Sequence, residues 1–432
     1  MSGFGSSDKS RHGSILADLH ERGLIAQVSD QAGLETHLAS SSRVVYSGFD
    51  PTADSLQIGN LVPLLTLRRL QEAGHRPILL VGGATGLIGD PSDKNEERDL
   101  NLREVVAEWS ESVRAQAARF LDFGGETGAV VVNNLDWTAR LDVISFLRDI
   151  GKHFSVNAMT QREWVRSRLE GKGSGISYAE FSYTILQAMD FKQLAEQYGC
   201  TLQIGGSDQW GNIVSGVDLV RRTLGRKVFA LTTPLATKAD GTKFGKTQDG
   251  AVWLDGTKTS PYAFYQFLIN TADRDVISLL GKLTFLTMEE IEAAREAVTE
   301  DPGSREAQRL LASEVTRLVH GEEGLLSARR ITDALFSGSV ESLTEVDFEQ
   351  LALDGIDSTT IGAGAGLVAV MARTPLARSR TAARRLVQSK AVRVNGQLME
   401  DPEGELSRAN ARYGRYHLIR RGKKSWHLVA HG

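Results

Sequence analysis

One cysteine in 432 residues, Cys200, leaves no partner for an internal disulfide and too few thiolates for a sulfur-ligated metal. That usage fits a reducing, cytoplasmic setting. No apolar run approaches the roughly 20 residues that cross a bilayer, so no membrane partner is expected. The opening MSGFGSSDKSRHGS lacks the apolar core of a secretory signal and is expected to be a frayed tail. Low-complexity tracts and internal repeats are missing as well. Net charge is small, −4 at neutral pH, but the small total hides an asymmetry.

Residues 373–432 carry 14 Lys and Arg against 4 Asp and Glu, so the preceding 372 residues carry −14. Just before that basic end, 341–358 holds six acidic residues and no basic one. A cationic terminal module behind an acidic, glycine-containing linker fits a phosphate-backbone partner; a merely solvated basic surface fits the charge equally well.

The length argues for two or three domains. The chain is organised around Tyr46-Ser-Gly-Phe-Asp-Pro-Thr-Ala-Asp-Ser-Leu-Gln57-Ile-Gly-Asn60. A buried strand over 43–47 is stopped by Gly48 and the Asp50-Pro51-Thr52 turn, and Gly59-Asn60 opens an amphipathic helix over 60–73. The first amides of a helix have no partner and carry positive partial charge, so this strand, turn and helix predict a bound anion. Residues 14–39 predict one or two bracing helices. The apolar run 77–81 predicts a strand covered on both faces, ending in a glycine-rich turn that leads to Asp90. A helix over 101–121, a strand over 129–132, helices over 141–150, 158–170 and 178–198, and a strand over 201–204 follow. Strands alternating with helices predict an α/β fold with a parallel sheet, whose ligand sits at the carboxyl ends of the strands. Asp50, Asp90 and 205–208 fall at that edge. Residues 261–336 are helical in pattern throughout, and 339–366 predicts a linker. Residues 367–432 predict a small α+β module with an Asn395-Gly396 hairpin turn and a last hairpin over 416–429.

Three familiar patterns fail. Gly83-x-x-Gly86-x-x-Gly89 has a first gap one residue too wide for a dinucleotide fingerprint, and is better explained by tight packing beside Asp90. Gly241-x-x-x-Gly245-Lys246-Thr247 is one residue short of a P-loop. His427 and His431 have no following Glu and lie on a strand-like segment, which argues against a zinc hydrolase.

Other constellations survive. Tyr183, Gln187 and Asp190 fall at i, i+4 and i+7 of a helix, one polar stripe among apolar neighbours. The stripe is either solvated or the wall of an internal polar pocket, in which Asp190 needs a donor. Gly205-Gly206-Ser207-Asp208-Gln209 follows a strand and enters a helix; Asp208 suits a ribose diol or a plain N-cap. The loop from Lys238 to Thr247 bears three lysines that can close over a polyphosphate or simply be solvated.

Taken together, YSGFDPTADSLQIGN, GGATGLIGDPS, LQIGGSDQWGN and TKADGTKFGKT resemble, in order and over nearly the whole chain, the bacterial tyrosyl-tRNA synthetases, a family of class I aminoacyl-tRNA synthetases. The resemblance implies a Rossmann-like catalytic domain over 1–255 with a helical dimer-interface insertion. It further implies an α-helical anticodon-side domain over 256–338, a linker over 339–366 and an S4-like RNA-binding domain over 367–432. It implies activation of L-tyrosine with ATP, then transfer to tRNA(Tyr), by a cytoplasmic homodimer that uses Mg2+ with ATP and keeps no resident metal or organic cofactor. Gln57 and Asn60 stand in the HIGH signature, and Lys243, Lys246 and Thr247 in the KMSKS loop; with Thr52, Lys94 and Arg98 they match groups that meet the phosphates. Tyr46 and Asp190 match the readers of the phenolic hydroxyl. Asp90, Tyr183, Gln187 and Gln209 match groups around the amino acid, and Gly48, Asp50, Gly59, Gly206, Asp208 and Lys246 those around ATP. Asn134 and Trp137 match supports behind them. Gln57 departs from the histidine common at that position, yet its amide can still donate to a phosphate oxygen. A tryptophanyl relative and a synthetase-derived RNA-binding protein without catalysis are the alternatives.

Overall fold

The structure, a computed structural model, describes residues 14–91, 102–171, 175–247, 250–362 and 364–432. The expected frayed tail falls almost wholly outside them. The chain divides into two compact units, Met1–Ala251 with Ser278–Met288, and Val252–Ile277 with Glu289–Gly432.

The first unit is built on a six-stranded sheet of β1 (Gln27–Val28), β2 (Val44–Phe49), β3 (Arg76–Val81), β4 (Val130–Asn133), β5 (Cys200–Gly206) and β6 (Phe229–Thr233). Their order is β1-β6-β5-β2-β3-β4, and only β1 runs antiparallel to its neighbour. The chain winds from β2 through β3 to β4, then returns to the far side of β2 for β5 and β6. Strand order therefore reverses between β2 and β5, where the crevice of such a sheet opens. Tyr46 on β2 and Gln203 on β5 are register neighbours at this point.

Local sequence explains most of the elements. Helix α1 (Leu61–Glu72) buries Leu61, Leu64, Leu65, Leu67 and Leu70 completely. It is entered through a tight turn, Ile58–Asn60, in which the Asn60 side chain accepts from the Gln57 amide at 2.9 Å. Helices α2 (Arg103–Ala117), α3 (Tyr178–Tyr198) and α4 (Trp210–Leu224) complete the frame of the site. α3 starts at a reciprocal cap: the Glu180 amide donates to Ser177 Oγ at 3.2 Å, and the Ser177 amide to Glu180 Oε2 at 3.1 Å. It ends at Gly199, whose φ of 66° needs glycine.

Three expectations are corrected. Gly48 does not stop its strand; β2 continues through Phe49, and Pro51, which has no amide to give, marks its end. β1 and β6 were not anticipated, since β1 has two residues and β6 is a short run closed by Pro234. The described residues of 339–366 are structured. Thr344 and Asp347 cap a short helix (Glu345–Gln350), and Val340, Leu343, Phe348 and Leu351 pack with Tyr416, Leu418 and Leu428 of the terminal sheet. The acidic residues that suggested a linker alternate with apolar ones that belong to a core.

In the second unit, α5 (Pro261–Ile269) packs on the long α6 (Glu306–Ser337), which is broken at Gly321 (φ 75°). The terminal sheet contains β7 (Ser358–Ile361), β8 (Val392–Val394), β9 (Gln397–Leu398), β10 (Tyr416–Arg421) and β11 (Ser425–His431), in the order β9-β8-β10-β11-β7. Asn395 (φ 50°) and Gly396 (φ 86°) make the tight hairpin turn between β8 and β9.

Candidate active site

A cavity of about 330 Å³ opens at the carboxyl edge of the sheet, over β2 and β5. Its wall brings together Tyr46, Gly48, Asp50, Thr52, Gln57, Gly59 and Asn60 from β2 and the turn beyond it, and Asp90 after β3. Tyr183, Gln187 and Asp190 come from α3, Gly206, Asp208 and Gln209 from the end of β5, and Lys243 from the lysine loop. Lys94 and Arg98 lie outside the described residues, as do the side chains of Lys246 and Thr247. The backbone of Lys246–Thr247 forms a short strand paired with Gly250–Ala251. Phe49, Thr85, Gln203, Leu235 and Phe244 also line the cavity; all but Leu235 lie within the quoted motifs, yet none was named as a site residue.

One end is buried. Asp190 is 3% exposed and accepts from Asn134 Nδ2 at 2.9 Å and Trp137 Nε1 at 2.8 Å. Burial pushes its carboxyl up to about 7, against the lowering effect of those two donors. Tyr46, with its ring 5.2 Å from Phe191, is fully buried, and its phenolic oxygen has no hydrogen-bond partner among the described residues. Burial first, and then the charge of Asp190, holds that phenol well above its ordinary pKa, so it stays neutral. Gln187 Oε1 and Gln203 Oε1 are likewise buried without a partner. Unpaired buried polar atoms around a cavity favour a polar occupant, because each costs free energy until it is met.

The three-residue stripe on α3 is thus the wall of an internal pocket, not a solvated face. Tyr183 Oη donates to Asp50 Oδ2 at 2.6 Å, and Thr85 Oγ1 donates to Asp50 Oδ1 at 2.7 Å. Asn134 Nδ2 donates to Thr85 Oγ1 at 3.0 Å as well as to Asp190, and Asn134 Oδ1 accepts from the Ala84 amide at 2.7 Å. A continuous chain of hydrogen bonds therefore runs from Asp190 to Asp50. The glycine-rich turn permits it: a Cβ at Gly82 would stand 2.0 Å from Asp50 Oδ1.

Asp90 Oδ2 accepts from Gln209 Nε2 at 2.7 Å. Asp208 is exposed and does not cap a helix: the turn Ser207–Gln209 starts at Gly206 and α4 at Gln209, neither with a side-chain cap bond. At the open end, Phe244 donates its amide to the Ala236 carbonyl at 2.7 Å and is buried, while Lys243 is exposed. A Cβ at Gly245 (φ 94°) would fall 2.4 Å from Ile58 Cγ2, so only glycine lets the lysine loop lie on the Gln57-Ile58-Gly59 turn. The lysine loop and the Gln57–Gly59 turn are therefore adjoining.

The family model described as "tRNA synthetases class I (W and Y)" matches residues 39–337, and that of the "Tyrosine--tRNA ligase SYY-like C-terminal domain" matches residues 347–429. The fold and the cavity are those of a class I aminoacyl-tRNA synthetase. A tyrosine–tRNA ligase of Aliivibrio fischeri is 57% identical over 416 residues, 96% of this chain and 98% of that protein. One from Escherichia coli is 55% identical over the same shares. Among solved structures, a C-terminally truncated mitochondrial tyrosyl-tRNA synthetase of Aspergillus nidulans superposes with a TM-score of 0.69 at 31% identity, covering 76% of this chain and 96% of that one. The chain belongs to the tyrosine–tRNA ligases.

Proposed function

We infer that this chain activates L-tyrosine with ATP to tyrosyl-adenylate and pyrophosphate, then transfers the tyrosyl group to the terminal ribose of tRNA(Tyr). The observation that carries the substrate side is the pair at the buried end, a Tyr46 hydroxyl without a partner among the described residues and close enough to feel the charge of the Asp190 carboxylate. A substrate phenol entering there donates to Asp190 and meets Tyr46. Phenylalanine leaves both unmet, at the cost of burying unpaired polar groups. An indole, with a donor and no acceptor, satisfies Asp190 alone, which favours tyrosine over tryptophan.

Asp90, with Gln209 and Gln187 about it, takes the ammonium group. Its negative charge and the Gln187 amide oxygen, which has no partner among the described residues, suit a cation. The tyrosine carboxylate attacks the ATP α-phosphorus in line: the new C–O–P bond forms as the bond to pyrophosphate breaks. No side chain in the cavity has to act as nucleophile. Positioning and charge stabilisation do the work, with Gln57, Thr52 and Lys243, and with Lys246, Thr247, Lys94 and Arg98, toward the phosphates. Gly48, Gly59 and Gly206 leave room for the nucleotide, Asp208 faces its ribose, and Mg2+ enters with ATP as part of the substrate.

The basic module over 367–432 suits the tRNA backbone through residues such as Arg380, Arg384 and Arg385 on one short helix. From the segment after β4 to the first residue of α3, Val143, Ile144, Val156 and Tyr178 are each more than 60% exposed, an apolar display that suits a second copy of the chain in a homodimer. Among the described residues no helix is long and apolar enough to cross a membrane; together with the single buried cysteine this supports a cytoplasmic enzyme.

ATP–pyrophosphate exchange tested with each of the twenty amino acids decides the reading. Exchange driven by tyrosine alone is expected. Exchange driven by tryptophan, or none at all with intact tRNA binding, would replace it with one of the two alternatives.

A further inference from the structure

Arg162 lies in the turn before the helix Glu163–Glu170, far in sequence from every motif that lines the cavity. It is a half-buried guanidinium that makes no ion pair among the described residues; burial lowers its pKa to about 10. Its partners are neutral. Nη1 donates to Thr184 Oγ1 at 2.9 Å and to Asn212 Oδ1 at 3.3 Å, and Nη2 donates to Ser215 Oγ.

Asn212 is 2% exposed, and two donors converge on its Oδ1, Arg162 and Thr184 Oγ1, the latter at 2.6 Å. An amide that gives its oxygen to both must present its NH2 on the other side. That NH2 donates to Gln209 Oε1 at 3.3 Å. Gln209 is fixed in turn, with its own NH2 toward Asp90 Oδ2 at 2.7 Å and Asp208 Oδ2 at 3.4 Å. Two amides in series are thus set by one cation.

The contrast with Arg168 sharpens the point. Arg168 makes a two-pronged ion pair with Glu180, at 3.0 and 3.1 Å, which ties its charge to the start of α3. Among the described residues no carboxylate matches the charge of Arg162, which lies behind the wall from which Asp90 and Asp208 face the cavity.

We propose that Arg162 is a positioning residue for the amino-acid site: acting through Asn212, it fixes the orientation of the Gln209 amide and so holds Asp90 for the substrate ammonium. This rests on the reading of Asp90 as the ammonium group's partner. Loss of the relay lets the Gln209 amide turn over, and Asp90 loses the donor that Gln209 supplies.

The test uses the full-length protein with three variants, Arg162→Met, Asn212→Asp and Asp90→Asn. It uses two ligands, tyrosine and 3-(4-hydroxyphenyl)propanoate, which lacks the ammonium group. Asn212→Asp is the decisive one. It gives Arg162 a carboxylate, so the fold is kept, but it cannot donate to Gln209 and draws the Gln209 NH2 away from Asp90. Arg162→Met and Asn212→Asp are each expected to weaken tyrosine binding about ten-fold, as for a lost hydrogen bond to a charged group, and to leave binding of the deaminated analogue unchanged. In exchange assays the change is expected in KM for tyrosine, with kcat nearly kept, and Arg162→Lys should restore part of it. If Asp90→Asn selects against tyrosine while Asn212→Asp affects neither ligand, or both alike, the relay is refuted and the site reading stands. If Asp90→Asn weakens both ligands equally, the ammonium assignment falls and the relay falls with it.

Discussion

At the Tyr46 and Asp190 end of the cavity the polar groups are buried, and the carboxylate is gripped by two donors from the turn after β4. At the Lys243 end the side chain is exposed, on a glycine-bearing loop that rests against another turn. The first end is set before substrate arrives. The second has a lysine whose position depends on loop backbone. In the proposed reaction, selectivity would belong with the rigid end, where an unmet hydroxyl partner is costly, and rate with the adaptable end, where charge develops as pyrophosphate leaves.

The largest effect is expected from Asp190→Ala. It removes the acceptor for the substrate phenol and strands Asn134 Nδ2 and Trp137 Nε1, and kcat/KM for tyrosine should fall about 1,000-fold. Rejection of phenylalanine should weaken in parallel, measured as the ratio of exchange rates with the two amino acids. An unchanged ratio would mean that the buried end does not carry selectivity. Lys243→Ala comes next: the single-turnover rate of adenylate formation should drop about 100-fold while the dissociation constant of tyrosine stays the same. A shift in tyrosine affinity instead would erase the division between the two ends.

The smallest effect is a pH dependence, and its two parts run in opposite directions. Asp190 is held near 7, above the ordinary carboxylate value of about 3.9. Because the folded-state value is the higher, its contribution to folding is fully present below the unfolded value and is lost as pH rises through about 7. Tyrosine affinity runs the other way, because the ionised carboxylate is the better acceptor for a phenol. Affinity should fall by up to about ten-fold per pH unit below 7, and the unliganded protein should melt at a lower temperature as pH rises toward 7. Asp190→Asn should flatten both profiles.

Much of this site is legible in the sequence because its residues cluster in runs beside glycine or proline, at strand ends where backbone geometry constrains the choice. Tyr183, Gln187 and Asp190 show themselves by helical spacing. The sheet is legible for the same reason: β3 is an uninterrupted apolar run, and helices separate β2, β3, β4 and β5. What escaped depends on contacts between distant segments. Thr85 and Gln203 are ordinary residues of a turn and a strand until the fold sets them beside Asp50 and Tyr46. Arg162 and Asn212, 50 residues apart, carry no local signature, and only their hydrogen bonds mark them. The acidic 341–358 stretch misled because charge was counted without the apolar residues between the charges.

That stretch also determines how the end of the chain can be removed. Phe348 and Leu351 lie in one apolar cluster with Tyr416 and Leu418, and β7 pairs in parallel with the final strand. A shortened gene stopping at residue 366 would strip the cover from that cluster and leave an unpaired strand edge, the kind of surface that drives inclusion bodies. The terminal module is joined to the helices before it as masonry, not strung on as a bead.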